Sequence, residues 1–95
     1  MTFPVRLVRK AQQDLDRAAE WYDGEREGLG DDFREAVIRR LLQVGRFPLS
    51  CPIAVRDLRR LTVGSFPYCV YYRIVRNEIS VVAILHAKRN PGNWP

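Results

Sequence analysis

Residues 66–94 read F-P-Y-C-V-Y-Y-R-I-V-R-N-E-I-S-V-V-A-I-L-H-A-K-R-N-P-G-N-W, and this stretch decides the fold. Two β-branched and aromatic runs, Tyr68 to Val75 and Ile79 to Leu85, flank Arg76-Asn77-Glu78. That short connection carries an Asn, which tolerates the positive φ of a tight hairpin. The spacing predicts a β-hairpin. Its second run is apolar at both parities (Val81, Ala83 and Leu85; Val82 and Ile84), so it is expected to be central in a sheet or covered on both faces. It ends in the chain's single His, His86, followed by Lys88 and Arg89 and then a Pro-Gly terminus. A buried strand that ends in these residues delivers polar chemistry from a rigid support.

Outward from the hairpin, Ala54 to Val63 reads as another strand, basic at Arg56, Arg59 and Arg60, turned into Phe66 by Gly64-Ser65. Leu49 to Ile53, with prolines around Ser50 and Cys51, reads as a loop. Upstream lie two helical patterns. Ala11, Leu15, Ala18 and Tyr22 recur at helical spacing with Ala19 widening the stripe, and Asp14, Asp16, Arg17, Glu20 and Asp23 are placed outside it, giving a helix over about Ala11 to Arg26. Trp21 stands off the stripe beside Ala18, where a half-buried packing role is more usual than a binding one. Gly28-Leu29-Gly30 breaks the helix, and Asp31 is the expected cap of a second one. Phe33, Ala36, Val37, Leu41 and Val44 form its stripe, and Gly45 followed by Phe47-Pro48 stops it. Ile38 and Leu42 lie roughly 100° around from that stripe. Packing against the first helix or a partner groove accounts for them, and packing is favoured because each helix of an αα-hairpin must touch both its neighbour and the sheet.

Phe3 to Val8 alternates as a short first strand, with Pro4 tolerable near a strand start or edge. The expected order is β-α-α-β-β-β: an α+β fold with a helical hairpin packed on one face of a mainly antiparallel four-stranded sheet, in a single domain over residues 1–95. The uncovered face would meet solvent or a partner, marked by Arg73, which shares the parity of Cys69 and Tyr71.

Composition narrows the class. At 95 residues and 46% hydrophobic the chain has the make-up of one small globular domain. It has no apolar run near the roughly 18 residues that span a bilayer, and its N-terminus lacks a signal-peptide core, so a cytoplasmic protein without membrane association is expected. Cys51 and Cys69 are read as free thiols with no metal-ligand spacing, and one His cannot complete a zinc site, so no metal or cofactor is called for. Residues 1–46 hold nine Lys/Arg and nine Asp/Glu, whereas residues 47–95 hold seven Lys/Arg against Asp57 and Glu78, so the whole net charge of +5 lies in the strand half. A solvated surface is the ordinary meaning of such an excess. Its segregation favours an anion-facing sheet, for nucleic acid or an acidic protein.

These residues, in order, resemble the RelE/ParE superfamily of bacterial type II toxins, closer to the ParE branch. The resemblance rests on Ala11, Asp14 and Leu15, the Trp21-Tyr22 pair, Leu29-Gly30 with Phe33, and Pro48. Its most specific part is Arg59-Arg60-Leu61 to Phe66-Pro67-Tyr68, then Val70 to Ile74, and Leu85-His86-x-Lys88-Arg89-x-Pro91 with Trp94. It implies a toxin held inactive in a hetero-oligomer by a cognate antitoxin, whose disordered segment folds onto it. Two activities follow from it. ParE-like members poison DNA gyrase by binding, and Arg56, Arg59, Arg60, Arg73, Lys88, Arg89 and Trp94 would then serve the target or the antitoxin. RelE-like members cut mRNA on the ribosome through attack of the 2′-OH on the neighbouring phosphate, which needs proton-transfer groups and cations. For that chemistry His86, Lys88, Arg89 and Arg73 are the catalytic candidates, His86 because its unperturbed pKa lies near neutrality. The early strand Arg of the mRNA-cutting members falls on Cys69, however, and their C-terminal Tyr has no counterpart, since Trp94 cannot exchange a proton. A histidine at a strand end is also more often structural than catalytic. The ParE-like reading is therefore preferred, ahead of the ribosome-dependent endonuclease and of a degenerate, non-toxic antitoxin-binding module.

Overall fold

The computed structural model describes residues 2–88. The chain runs β1 (Val5–Leu7), α1 (Arg9–Glu25), α2 (Leu29–Arg46), β2 (Ile53–Val55), β3 (Leu58–Thr62), β4 (Tyr68–Val75) and β5 (Glu78–His86). Both helices bury the stripes expected of them: Ala11, Leu15, Ala18, Ala19 and Tyr22 from α1, and Phe33, Val37, Leu41 and Val44 from α2. These meet Leu61, Val70, Tyr72, Ile79, Val81 and Ile84 of the sheet in one core. The α1–α2 turn is held by Gly28 at φ +88° and by the Asp23 carboxylate, which accepts the Gly30 N–H at 2.8 Å. Asp31 is not the cap of α2. The helix starts two residues earlier, with Gly28 at its N-cap position, and Asp31 sits inside its first turn, where its charge still suits the positive helix end. Gly30 is buried because α1 passes over it, and a Cβ there would collide with the Ala19 carbonyl.

The sheet differs from the expected one. It has five strands in the order β1-β5-β4-β3-β2 and is mixed, since β1 pairs parallel to β5 while the other pairs are antiparallel. The count rises because Ala54 to Val63 is not one strand. Val55 pairs with Leu58 across a two-residue turn whose Arg56 has φ +54°, so the run folds into a hairpin of its own. The parallel pair joins residues more than 70 positions apart, Val5 with Ile79 and Leu7 with Val81, leaving β5 between β1 and β4 as its apolar double parity requires. At the β4–β5 turn Arg76 and Asn77 have φ +52° and +62°, the double left-handed geometry that suits a two-residue hairpin.

Two expectations about packing also change. Ile38 and Leu42 remain 51% and 59% exposed, since α2 meets α1 and the sheet through its other sides. Trp21 is 59% exposed, touching Tyr22 edge-on at 5.1 Å between centroids. On the sheet face turned from the helices, Cys69, Tyr71, Ala83 and Leu85 form a second, smaller buried cluster with Val82. Cys51 belongs to the helix-side core and Cys69 to this cluster, and both are free thiols. No helix among the described residues is long and apolar enough to cross a membrane.

Candidate functional site

His86 closes the β4–β5 ladder as the partner of Tyr68, and their rings meet edge to face at 5.4 Å. Tyr68 is itself fixed by Phe33 at 5.0 Å and Tyr22 at 6.0 Å, two core aromatics that the helical hairpin brings together. The imidazole Nδ1 accepts the Lys88 N–H at 3.1 Å. Only Nε2 is left for other partners.

A cleft of about 220 Å³ opens beside this pair, between the end of the sheet and α1, with Asp14, Arg17, Trp21, Tyr68 and His86 in its walls. Asp14, expected outside the buried stripe, lies within it at 9% exposure. Its Oδ2 receives the Ile84 N–H at 3.0 Å and Lys10 Nζ at 2.9 Å. It supplies Ile84 with a partner that the sheet does not and pins α1 to β5. The signal was present, because Asp14 is three residues after Ala11 and four before Ala18, on the same side of a 3.6-residue helix.

Arg73 stands elsewhere. The irregularity between the last two strands falls on β5, where Val82 has no partner opposite, so β4 keeps its alternation. Tyr68 faces the helices. Arg73 faces away, five residues on and about 17 Å along the strand at some 3.4 Å per residue. It is also occupied: Nε and one terminal nitrogen bind the two Asp57 oxygens at 3.0 and 3.2 Å. The hydrogen bonding from Arg73 holds the Asp57 carboxyl below the usual carboxylate range against the opposing effect of burial, and the Arg73 charge adds a lesser lowering. His86 and Arg73 therefore lie on opposite faces of the sheet.

The other basic residues are dispersed too. Arg56 is exposed at the β2–β3 turn, Arg60 is exposed on the face opposite the helices beside Tyr71, and Lys88 is exposed beyond His86. Arg59 points inward and donates to the Cys51 carbonyl at 2.6 Å. Arg89 and Trp94 lie outside the described residues. Among the described residues no group of three or more His, Cys, Asp or Glu side chains is placed to hold a metal ion.

The sequence profile of the ParE toxin of the type II toxin–antitoxin system parDE matches residues 5–91. Among solved structures the chain is similar to one from the chromosomal ParDE system of P. aeruginosa, at 24% identity and a TM-score of 0.70, covering 90% of this chain and 96% of that one. It is similar to a chain of the intact E. coli RelBE toxin–antitoxin complex at 17% identity and TM-score 0.67, covering 94% and 100%. A chain of the RelBE2 complex from Mycobacterium tuberculosis follows at 20% identity and TM-score 0.63, covering 90% and 99%. At such identities the likeness is one of fold. No curated protein matches the sequence.

Proposed function

The chain belongs to the ParE toxin family of type II toxin–antitoxin systems, and from that premise we propose that it is a cytoplasmic toxin that arrests growth by binding and poisoning DNA gyrase, and that a cognate antitoxin neutralises it in a hetero-oligomer. The observation that carries the choice of a binding mode over mRNA cleavage is the separation of His86 from Arg73. General acid–base catalysis needs its groups within hydrogen-bond reach of one reacting centre. Here the imidazole faces α1 beside Tyr68, while the Arg73 guanidinium is on the other face in a two-point contact with Asp57. A binding surface has no such requirement. Arg56, Arg60, Arg73 and Lys88, with Arg89 and Trp94, are proposed to serve the target or the antitoxin as separate contacts. Arg59, bound to the Cys51 carbonyl, serves the fold as well.

The test is induced expression with parallel readouts of DNA breakage and mRNA cleavage. Growth arrest with trapped gyrase–DNA complexes and intact mRNA is expected, as is rescue by a small protein encoded alongside. His86→Gln is expected to keep most of the toxicity, because losing one contact costs about 1 kcal/mol or less, whereas losing a proton-transfer group costs about 10²–10⁴-fold in rate. Codon-phased mRNA cuts that vanish in His86→Gln would replace this reading with ribosome-dependent cleavage, and harmless expression of folded protein would replace it with a non-toxic antitoxin-binding module.

A further inference from the structure

The fold leaves two large apolar residues of α2 outside its core, and they are neighbours. Ile38 and Leu42, 51% and 59% exposed, are four residues apart and so stand side by side on the helix surface. At about 100° per residue they share an arc of about 80° with Glu35 and Arg46, on the side turned from the buried Phe33, Val37, Leu41 and Val44. All four are exposed. Single apolar residues scattered over a surface are ordinary, but here two of them form a strip with an acid at one end and a base at the other. The basic end is itself partly apolar, because the Arg46 guanidinium lies 6.0 Å over the ring of Phe47, which is 64% exposed.

An order of acid, apolar, apolar, base along one helix face is complementary to its own reverse. Two copies of α2 laid antiparallel about a two-fold axis at position 40 set Ile38 of each copy against Leu42 of the other. The same axis brings Glu35 of each copy to within one residue, about 1.5 Å, of the level of Arg46 of the other. Glu35 accepts from Arg39 of its own helix at 2.6 Å through one oxygen and keeps the second for this contact. Arg46 has no carboxylate partner among the described residues.

Charge selects the occupant. Residues 1–46 carry nine Lys/Arg and nine Asp/Glu, and the whole excess of +5 lies in residues 47–95. Two copies that met through their strand halves would bring like charges together, whereas through α2 a neutral layer meets a neutral layer. An RNA or an acidic peptide is drawn to the strand half instead and gains nothing from a strip whose charges balance.

We propose that the protein self-associates through this face of α2, as a two-fold antiparallel pair with Ile38 and Leu42 at its centre and Glu35–Arg46 contacts at both ends. One helix against one helix buries less than the roughly 1,200–2,000 Å² of a standard interface, so the dimer is weak and exchanges with monomer at micromolar concentration. The sheet lies on the other side of α2 in each copy, which leaves both basic strand halves on the outside. Nothing in this arrangement depends on what the toxin's target is.

The test is sedimentation equilibrium of the purified full chain over about 1–300 μM, with thermal denaturation of each variant as the control on folding. The wild type is expected to dimerise with a midpoint of about 10–100 μM. Leu42→Glu, at an exposed position, is expected to weaken the dimer at least about 30-fold and to leave Tm nearly unchanged. Glu35→Arg and Arg46→Glu should each weaken it about 5- to 10-fold, most at low salt. The two reversals together should restore most of the association, a rescue that a merely damaged fold does not show. A wild type that stays monomeric throughout would overturn the proposal. So would a dimer indifferent to Leu42→Glu and to both charge reversals, since its contact would lie elsewhere. Monomeric chain that instead captures the protein encoded alongside it, with capture lost in Leu42→Glu, would assign the strip to that partner and overturn self-association.

Discussion

The two ends of the β4–β5 hairpin share a ladder and differ in how they are built. At the Arg73 end, the chain turns through Arg76 and Asn77, both at positive φ, and the side chains are tied by surface ion pairs, Arg73 with Asp57 and Arg6 with Glu78. At the His86 end, Tyr68 is wedged among Phe33, Phe66 and Tyr22, and a buried carboxylate of α1 holds the backbone of β5 from 70 residues away. Exposed side-chain pairs tie the first end and buried aromatic packing ties the second. A surface that must present fixed contacts to a partner belongs on the second kind, because its geometry does not depend on exposed side chains finding one another.

The largest expected difference between the ends is at Asp14. Asp14→Ala leaves the Ile84 N–H without its acceptor and costs about 1–3 kcal/mol. At about 4–8 °C per kcal/mol for a domain of this size, Tm should fall by at least several degrees. Asp14→Asn, which keeps an acceptor oxygen, should lose less. Chemical denaturation of the two variants checks this, with the Ile84 amide followed by hydrogen exchange. A cost below about 0.5 kcal/mol for Asp14→Ala, with the Ile84 amide still protected, would make the His86 end no more rigid than the other.

The same contrast explains what was readable in advance. The β4–β5 hairpin was legible because its signals are local: two β-rich runs, an Asn in the turn and apolar residues at both parities. The helical stripes were legible for the same reason, down to Phe33 and Val44. The fifth strand was not, because Arg56-Asp57 offers only Asp57 as a turn-favouring residue, and residues 54–63 mix apolar and basic residues on both sides of it without a clear break. The parallel β1–β5 pair depends on contacts that no window of sequence contains. The polarity of Asp14 suggests exposure, but its helical position puts it among the buried alanines. Ile38 and Leu42 were misplaced in the opposite sense. Their hydrophobicity suggested contact with α1, but the helical hairpin closes on Gly30 and Phe33 and leaves them outside. The candidate catalytic residues come from the proton-transfer and cation chemistry of the RelE-like alternative, and strand alternation puts one of them, Arg73, on the face opposite His86, while Lys88 follows His86 two residues on.

An intermediate effect is expected from the phenols of the packed region. Burial, with a smaller contribution from Cys51, pushes the Tyr72 hydroxyl above its ordinary value, where it donates to the Pro48 carbonyl at 3.0 Å. Burial and then Tyr68 push Tyr22 the same way. Because the folded-state values are raised, the stability they confer is complete below the unfolded value of about 10 and is lost as the pH climbs through the folded values. Stability should therefore fall as the pH rises above about 10, and Tyr72→Phe should flatten that fall while costing about 0.5–1.5 kcal/mol at neutral pH for the lost hydrogen bond. Denaturation midpoints across this range check it. An unchanged alkaline slope in Tyr72→Phe would remove Tyr72 from the effect.

The smallest effect is expected at the Arg73 end. Arg73 and Asp57 are joined by two hydrogen bonds, but their side chains are 39% and 66% exposed, and exposed pairs contribute little because water screens them and ordering the side chains offsets the attraction. Asp57→Asn should leave Tm within measurement error of the wild type. The pair should still be visible in its titration. The Asp57 carboxyl is depressed by Arg73, so its contribution is present above the ordinary carboxylate value and is lost as the pH falls through its own lower midpoint. Carboxyl NMR shifts should place that midpoint below the ordinary value for aspartate, and Arg73→Gln should return it upward. An ordinary midpoint in the wild type would mean that the guanidinium is free in solution. Arg73 would then be an available cation, and the two ends of the hairpin would differ in position and in packing but no longer in whether their charged groups are already engaged.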